Sequence, residues 1–192
     1  GLMHYNRFRE ENNPTLVLEV TYESAHIFIV NANSLEIARP VPFRIQSMLP
    51  LVQQELGLKD EESARKLFSS NTFDFTEIAP VLLKKLLREL QASIGFYEVQ
   101  TGQTLTQLFL GLLPLNLSWI GENLSRSLAM DILTPEDPAW LQSAGVTFAE
   151  GLDPAAYDAR WFSLFSLMSN FNPTDNSSNK EASRAVAKQE SE

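Results

Sequence analysis

Two short apolar runs open the pattern. Thr15–Val20 and Ala25–Val30 are rich in valine and isoleucine and are separated by the polar residues 21–24, which predicts a β-hairpin. A third run over residues 34–41 follows Asn31, Asn33 and Ser34. Pro40 and Pro42 end it or hold it at a sheet edge, because proline has no N–H to give to a ladder. Together the three runs read as an antiparallel meander. The period then changes to that of a helix. Ile45, Leu49, Val52 and Leu56 share one face, Pro50 argues for a start near Ser47, and Gly57 can close the turn. Asp60 is placed to cap a short helix that ends near Phe68.

The clearest helical pattern covers residues 76–101. Leu83, Leu86, Leu87, Leu90, Ile94 and Tyr97 form one stripe, Thr76 can cap the start, and Gly102 can adopt the left-handed conformation that ends a helix. Pro80 is tolerable there because first-turn N–H groups have no helical partner to lose. A buried strand is expected over 105–110, a loop over 111–116, a helix over Ser118–Leu128 and a short strand over 130–133. That order predicts neighbouring strands of one sheet with helices packed on it. Residues 134–138 make a proline-bracketed turn, and 140–152 fit no single template. Asp153 and Pro154 suit the start of a last helix, with Trp161, Leu164, Phe165, Met168 and Phe171 on its apolar face. From residue 172 the chain turns polar, with Val186 its one large aliphatic residue, so it cannot bury enough apolar surface to offset ordering. The expected organisation is a polar lead-in over 1–14, either irregular or part of a helix, an α/β body over 15–171 and a disordered or weakly ordered tail over 172–192.

Composition narrows the function. The chain has 192 residues, 44% of them hydrophobic, which suffices for one sizeable core. Its net charge of -9 disfavours phosphate backbones, so no nucleic-acid partner is expected. With no cysteine, disulfides and thiolate metal sites are excluded. His4 and His26 are the only histidines and have no acidic cluster at ligand spacing, so no metal site is expected. The most apolar stretch, 108–121, is too short to cross a bilayer and is broken by Pro114 and Asn116. No secretory-signal pattern is seen in residues 1–13.

Chemistry is sparse. Serine, histidine and aspartate show no triad order, and there is no phosphate-binding glycine loop of either common spacing. The pairs Glu10-Glu11, Glu61-Glu62 and Glu136-Asp137 lie in polar segments with nothing to separate their pKa values. Lys84, Lys85 and Arg88 cluster on the long helix, either as a patch for an acidic partner or as a solvated face. Two turns could present donors to an anion. One is the hairpin turn with Glu19, Thr21 and Ser24; the other is the strand-to-helix turn at Gly111.

The segments Leu16-Val-Leu-Glu-Val-Thr, Ile27-Phe-Ile-Val30, Leu35-Glu-Ile-Ala-Arg-Pro-Val-Pro42, residues 87–97 with Thr101-Gly102, and Leu108-Phe-Leu-Gly-Leu-Leu-Pro114 carry a resemblance. In that order they resemble the second half of the actin-like (ribonuclease H-like) ATPase fold of PilM-like type IV pilus assembly proteins, with GspL and FtsA as relatives. The resemblance covers residues 15–133. It implies an α/β fold with an antiparallel hairpin, a mixed sheet and packed helices. It also implies that the family's first half, with its other phosphate loop and most of its partner-peptide groove, lies outside this chain. The departures carry as much information. The family's Asp-x-Gly phosphate turn is Glu19-Val20-Thr21 here, and its glycine-rich adenosine loop is reduced to Gly111 before two leucines. Glu19, Thr21, Ser24 and Gly111 are therefore expected to be vestigial nucleotide contacts, with no cofactor in this chain and ATP with Mg²⁺ only for a full-length product.

The expected role is a non-enzymatic cytoplasmic scaffold in a type IV pilus or type II secretion inner-membrane platform. It would be held at the membrane by membrane-anchored partner proteins, without a span of its own, and could also self-associate. The rival expectation is an actin-like ATPase whose N-terminal half is missing from the chain. A third is a plain homo-oligomeric interaction domain.

Overall fold

The computed structural model describes residues 1–70, 72–135, 137–143, 145–147, 149–151 and 161–170. They form two compact units, one within Leu2–Pro135 and one of Gly1 with the described residues from 137 to 170.

In the larger unit, strands β1 (Thr15–Val20), β2 (Ala25–Val30) and β3 (Leu35–Val41) are joined by tight turns. Strands β4 (Gln107–Gly111) and β5 (Asp131–Ile132) complete a sheet in the order β3-β2-β1-β4-β5. The meander is antiparallel, whereas β1/β4 and β4/β5 are parallel, so the sheet is mixed as expected. Pro40 sits in β3, the edge strand, the position in a sheet where proline is tolerated. Alternation sorts the faces. Leu16, Leu18, Val20, Ile27, Ile29 and Leu108 point into one large core, while Val17 and Phe109 are buried on the opposite face.

Five helices belong to this unit. They are α1 (Leu2–Phe8), α2 (Leu49–Glu55), α3 (Glu61–Ser70), α4 (Ala79–Thr101) and α5 (Ser118–Leu128). Helix α1 lies inside the stretch read as a polar lead-in. It buries Leu2, Tyr5 and Asn6, and its Arg7 donates to the Ala32 carbonyl at 2.6 Å. The long helix starts three residues later than its pattern suggests. Thr76 does not cap it; its N–H is bound by Asp74 at 2.9 Å, Ala79 N–H donates to the Phe75 carbonyl at 2.8 Å in the preceding turn, and Leu82 N–H donates to the carbonyl of the N-cap residue Ile78 at 3.1 Å. Gly102 closes it at φ 69°. Its buried stripe is Ala79, Leu82, Leu83, Leu86, Leu90, Ser93 and Tyr97, with Leu87 and Ile94 at the margin. Each fully buried leucine of this kind contributes about 1.5–3 kcal/mol. Phe68, Phe75 and Trp119 stack into an aromatic block whose Phe75–Trp119 centroids are 5.1 Å apart. Gly121 lets α5 approach the sheet, since a Cβ there would lie 2.4 Å from Leu110 Cδ1.

The smaller unit contains α6 (Asp137–Ser143) and α7 (Phe162–Asn170), and Trp140 stacks on Phe162 at 4.8 Å. The buried face of α7 is Phe162, Phe165 and Ser166; Trp161, Leu164 and Met168 are exposed, against the predicted stripe. Phe171, the Asp153-Pro154 cap and the tail over 172–192 lie outside the described residues.

Candidate functional site

The parallel register of β1 and β4 sets Glu19 beside Gly111 at the C-terminal ends of both strands. The β1–β2 turn follows at once, so the sequence-predicted residues Glu19, Thr21, Ser24 and Gly111 gather in one corner of the sheet. The pairing of Glu19 with Gly111 links residues 92 positions apart in sequence, across a connection that ends in α4.

Within the corner, Thr21 occupies the turn. Its Oγ1 accepts from Ser24 N–H at 3.0 Å and Glu23 N–H at 3.3 Å, and lies 3.1 Å from Ser24 Oγ. Thr21 N–H donates to the Ser24 carbonyl at 2.8 Å. The turn's carbonyls are also engaged. Ile45 N–H donates to Thr21 O and Gln46 N–H to Tyr22 O, both at 3.3 Å, tying the turn to the 3₁₀ turn Ile45–Met48. This is the arrangement of a serine/threonine turn, in which a hydroxyl takes the N–H groups an anion would otherwise receive.

Gly111 is buried, and Glu19 covers it. A Cβ on Gly111 would lie 3.1 Å from Glu19 Cγ and 3.7 Å from its Oε1. The next residue, Leu112, holds φ 60° with 42% of its surface exposed. A branched side chain rarely adopts that conformation. Leu113 turns back toward the core, Leu115 is 63% exposed, and Pro114 leads into a second 3₁₀ turn, Leu115–Leu117.

The basic cluster is placed elsewhere. Lys84, Lys85 and Arg88 are exposed along one wall of a groove of about 870 Å³ between the start of α2 and the N-terminal half of α4. Sequence reading weighed these cations but missed the groove, because Phe43, Pro50 and Leu51, which complete its lining, come from outside α4. Among the described residues no three of histidine, aspartate and glutamate gather as a metal site, and no helix is long and apolar enough to cross a membrane.

No protein-family model matches the chain, and no curated protein does. Among solved structures it is similar to a chain of the PilM-PilN type IV pilus biogenesis complex, with 17% identity and a TM-score of 0.52. That match covers 67% of this chain and 39% of the other, so the chain spans about two fifths of its structural relative. The ethanolamine utilization protein EutJ from Carboxydothermus hydrogenoformans is a weaker match, at 13% identity, TM-score 0.47, and coverage of 71% and 49%. At 17% identity the likeness to the PilM-PilN chain concerns the fold alone, a mixed α/β sheet with packed helices.

Proposed function

We propose that the chain is a non-catalytic scaffold component of a type IV pilus or type II secretion inner-membrane platform, and that its nucleotide corner is vestigial. It would correspond to the second half of the PilM-like fold and work at the cytoplasmic face, reaching the membrane through membrane-anchored partner proteins. Support for the assembly setting is the fold likeness to a pilus biogenesis complex. The observation that carries the vestigial reading is Thr21. Its hydroxyl takes the turn N–H groups of Glu23 and Ser24, which a phosphate would need.

Two further features disagree with ATP and Mg²⁺ at this corner. The Glu19 side chain covers the one glycine that would allow close backbone approach. Leu112, 42% exposed, then adds a bulky side chain to the turn where the resemblance would put a glycine-rich adenosine loop. No step of nucleotide chemistry is therefore assigned to these residues.

One observation favours a second reading. Glu19, Thr21, Ser24 and Gly111 do converge, as contacts of an actin-like ATPase would, with the remaining machinery in a segment outside this chain. Isothermal titration calorimetry with ATP and ADP in the presence of Mg²⁺, on this chain and on the full-length gene product, separates the two. Absence of heat from both at millimolar nucleotide is the outcome expected of a scaffold. Binding by the full-length product alone would favour the ATPase reading, and binding by this chain would overturn the vestigial one.

A further inference from the structure

We infer that the groove between α2 and α4 docks an acidic peptide segment of a partner protein, one with apolar side chains set between its carboxylates. The inference does not depend on a pilus role.

The groove has an apolar floor and a cationic rim. Phe43, Leu51, Val81 and Leu87 supply the floor, and Leu51 and Val81 remain 36% and 43% exposed. The rim is Lys84, Lys85 and Arg88, none of them ion-paired among the described residues. No lining residue is acidic, although the chain carries 24 acidic side chains against 15 basic ones. Lys84 and Arg88 are four residues apart on one helix, an unfavourable like-charge pair. The acid best placed to neutralise the wall is Glu89, four residues after Lys85, and Arg39 engages it at 3.3 Å. A neighbouring pocket of about 330 Å³ shares Phe43, Ser47 and Lys85 and adds Arg44, His26 and a single carboxylate, Glu23.

A merely solvated helix face would not border a concave apolar floor. The local charge complements an acidic ligand, and the floor asks for apolar anchors, which together describe a peptide laid in a groove. From Pro80 to Gln91 the wall runs roughly 17 Å at helical rise, enough for a short segment. An anionic membrane surface fits less well. A plane cannot enter the groove, and it would have to approach a body of net charge -9.

The test is selection from a displayed library of short random peptides on the full chain, followed by anisotropy titration of the selected peptides. Enrichment of Asp or Glu together with Leu, Phe or Trp is expected, with affinity falling as salt rises. The exposed triple reversal Lys84→Glu/Lys85→Glu/Arg88→Glu should weaken binding at least about tenfold. So should Val81→Glu, while Arg126→Glu on α5 should not. Circular dichroism confirms that each variant is folded. Selection of basic peptides, no selection at all, or acidic peptides that bind the triple variant undiminished would overturn the inference. Binding to phosphatidylserine vesicles that needs the three cations, with no peptide selected, would assign the wall to a membrane instead.

Discussion

Arg39 on the edge strand is clamped onto Glu89 of the long helix. Its guanidinium donates to the Glu89 carbonyl at 2.9 Å and reaches the Glu89 carboxylate at 3.3 Å. It also meets Ser93 Oγ at 2.9 and 2.6 Å. The clamp joins β3, which pairs on one side alone, to the helix that carries much of the core. Arg39→Ala should cost about 1–2 kcal/mol in urea unfolding, since half-exposure limits the ion pair and the bonds to Ser93 and the carbonyl supply most of the loss. Arg39→Lys should recover little, because an ammonium cannot reproduce a planar fork. An unchanged midpoint in both variants would show that the clamp contributes nothing.

Thr21→Val removes one oxygen from the corner and keeps the shape. Glu23 and Ser24 N–H groups then lose their acceptor, and the expected cost is about 1 kcal/mol, softened by solvent access at the turn. On the vestigial reading the freed donors still gain no measurable affinity for ATP, because Glu19 and Leu112 stay in place. Appearance of nucleotide binding in this single variant would identify Thr21 as the sole obstruction.

Much of this was legible along the chain, and the misses have physical causes. The meander, Ser118–Leu128, the Asp60 cap and the Gly102 stop all carry local signals: period, proline position and capping chemistry. Thr76 misled because the Ala79 N–H that its hydroxyl would have to accept goes to the Phe75 carbonyl instead. Trp161, Leu164 and Met168 misled because they continue the apolar arc of Phe165 at helical spacing, whereas the buried side takes in Phe162 and Ser166, and a serine gives periodicity no signal. The convergence of Glu19 and Gly111 required knowing that β4 returns parallel beside β1, and the groove required a second wall. Neither is a local property.

Ala129 ends α5 in the left-handed conformation, at φ 52°, with its N–H on the Ser125 carbonyl. A Cβ is disfavoured there, and the residue is exposed, so glycine loses no packing. Ala129→Gly should therefore stabilise the fold by about 0.5–1 kcal/mol, against the usual direction of glycine substitution. A lowered thermal midpoint would mean that the gain in the folded state is smaller than the added freedom of the unfolded chain.

Asp60 caps α3 through Ser63, accepting from its hydroxyl at 2.7 Å and its N–H at 2.8 Å. The Ser63 hydroxyl, then the Ser63 N–H, hold the carboxyl below its ordinary value of 3.8. A depressed folded-state pKa binds fewer protons in the folded chain than in the unfolded one. Its stabilising contribution is thus fully present above pH 3.8 and is lost as pH falls through the lower folded value. Asp60→Asn keeps a capping oxygen without a titrating one. Its unfolding free energy, followed between neutral pH and the acid limb, should fall less steeply than that of the unsubstituted chain below pH 3.8. Parallel acid limbs for the two proteins would show that the cap is formed equally by the protonated acid, and that other carboxylates set the acid sensitivity.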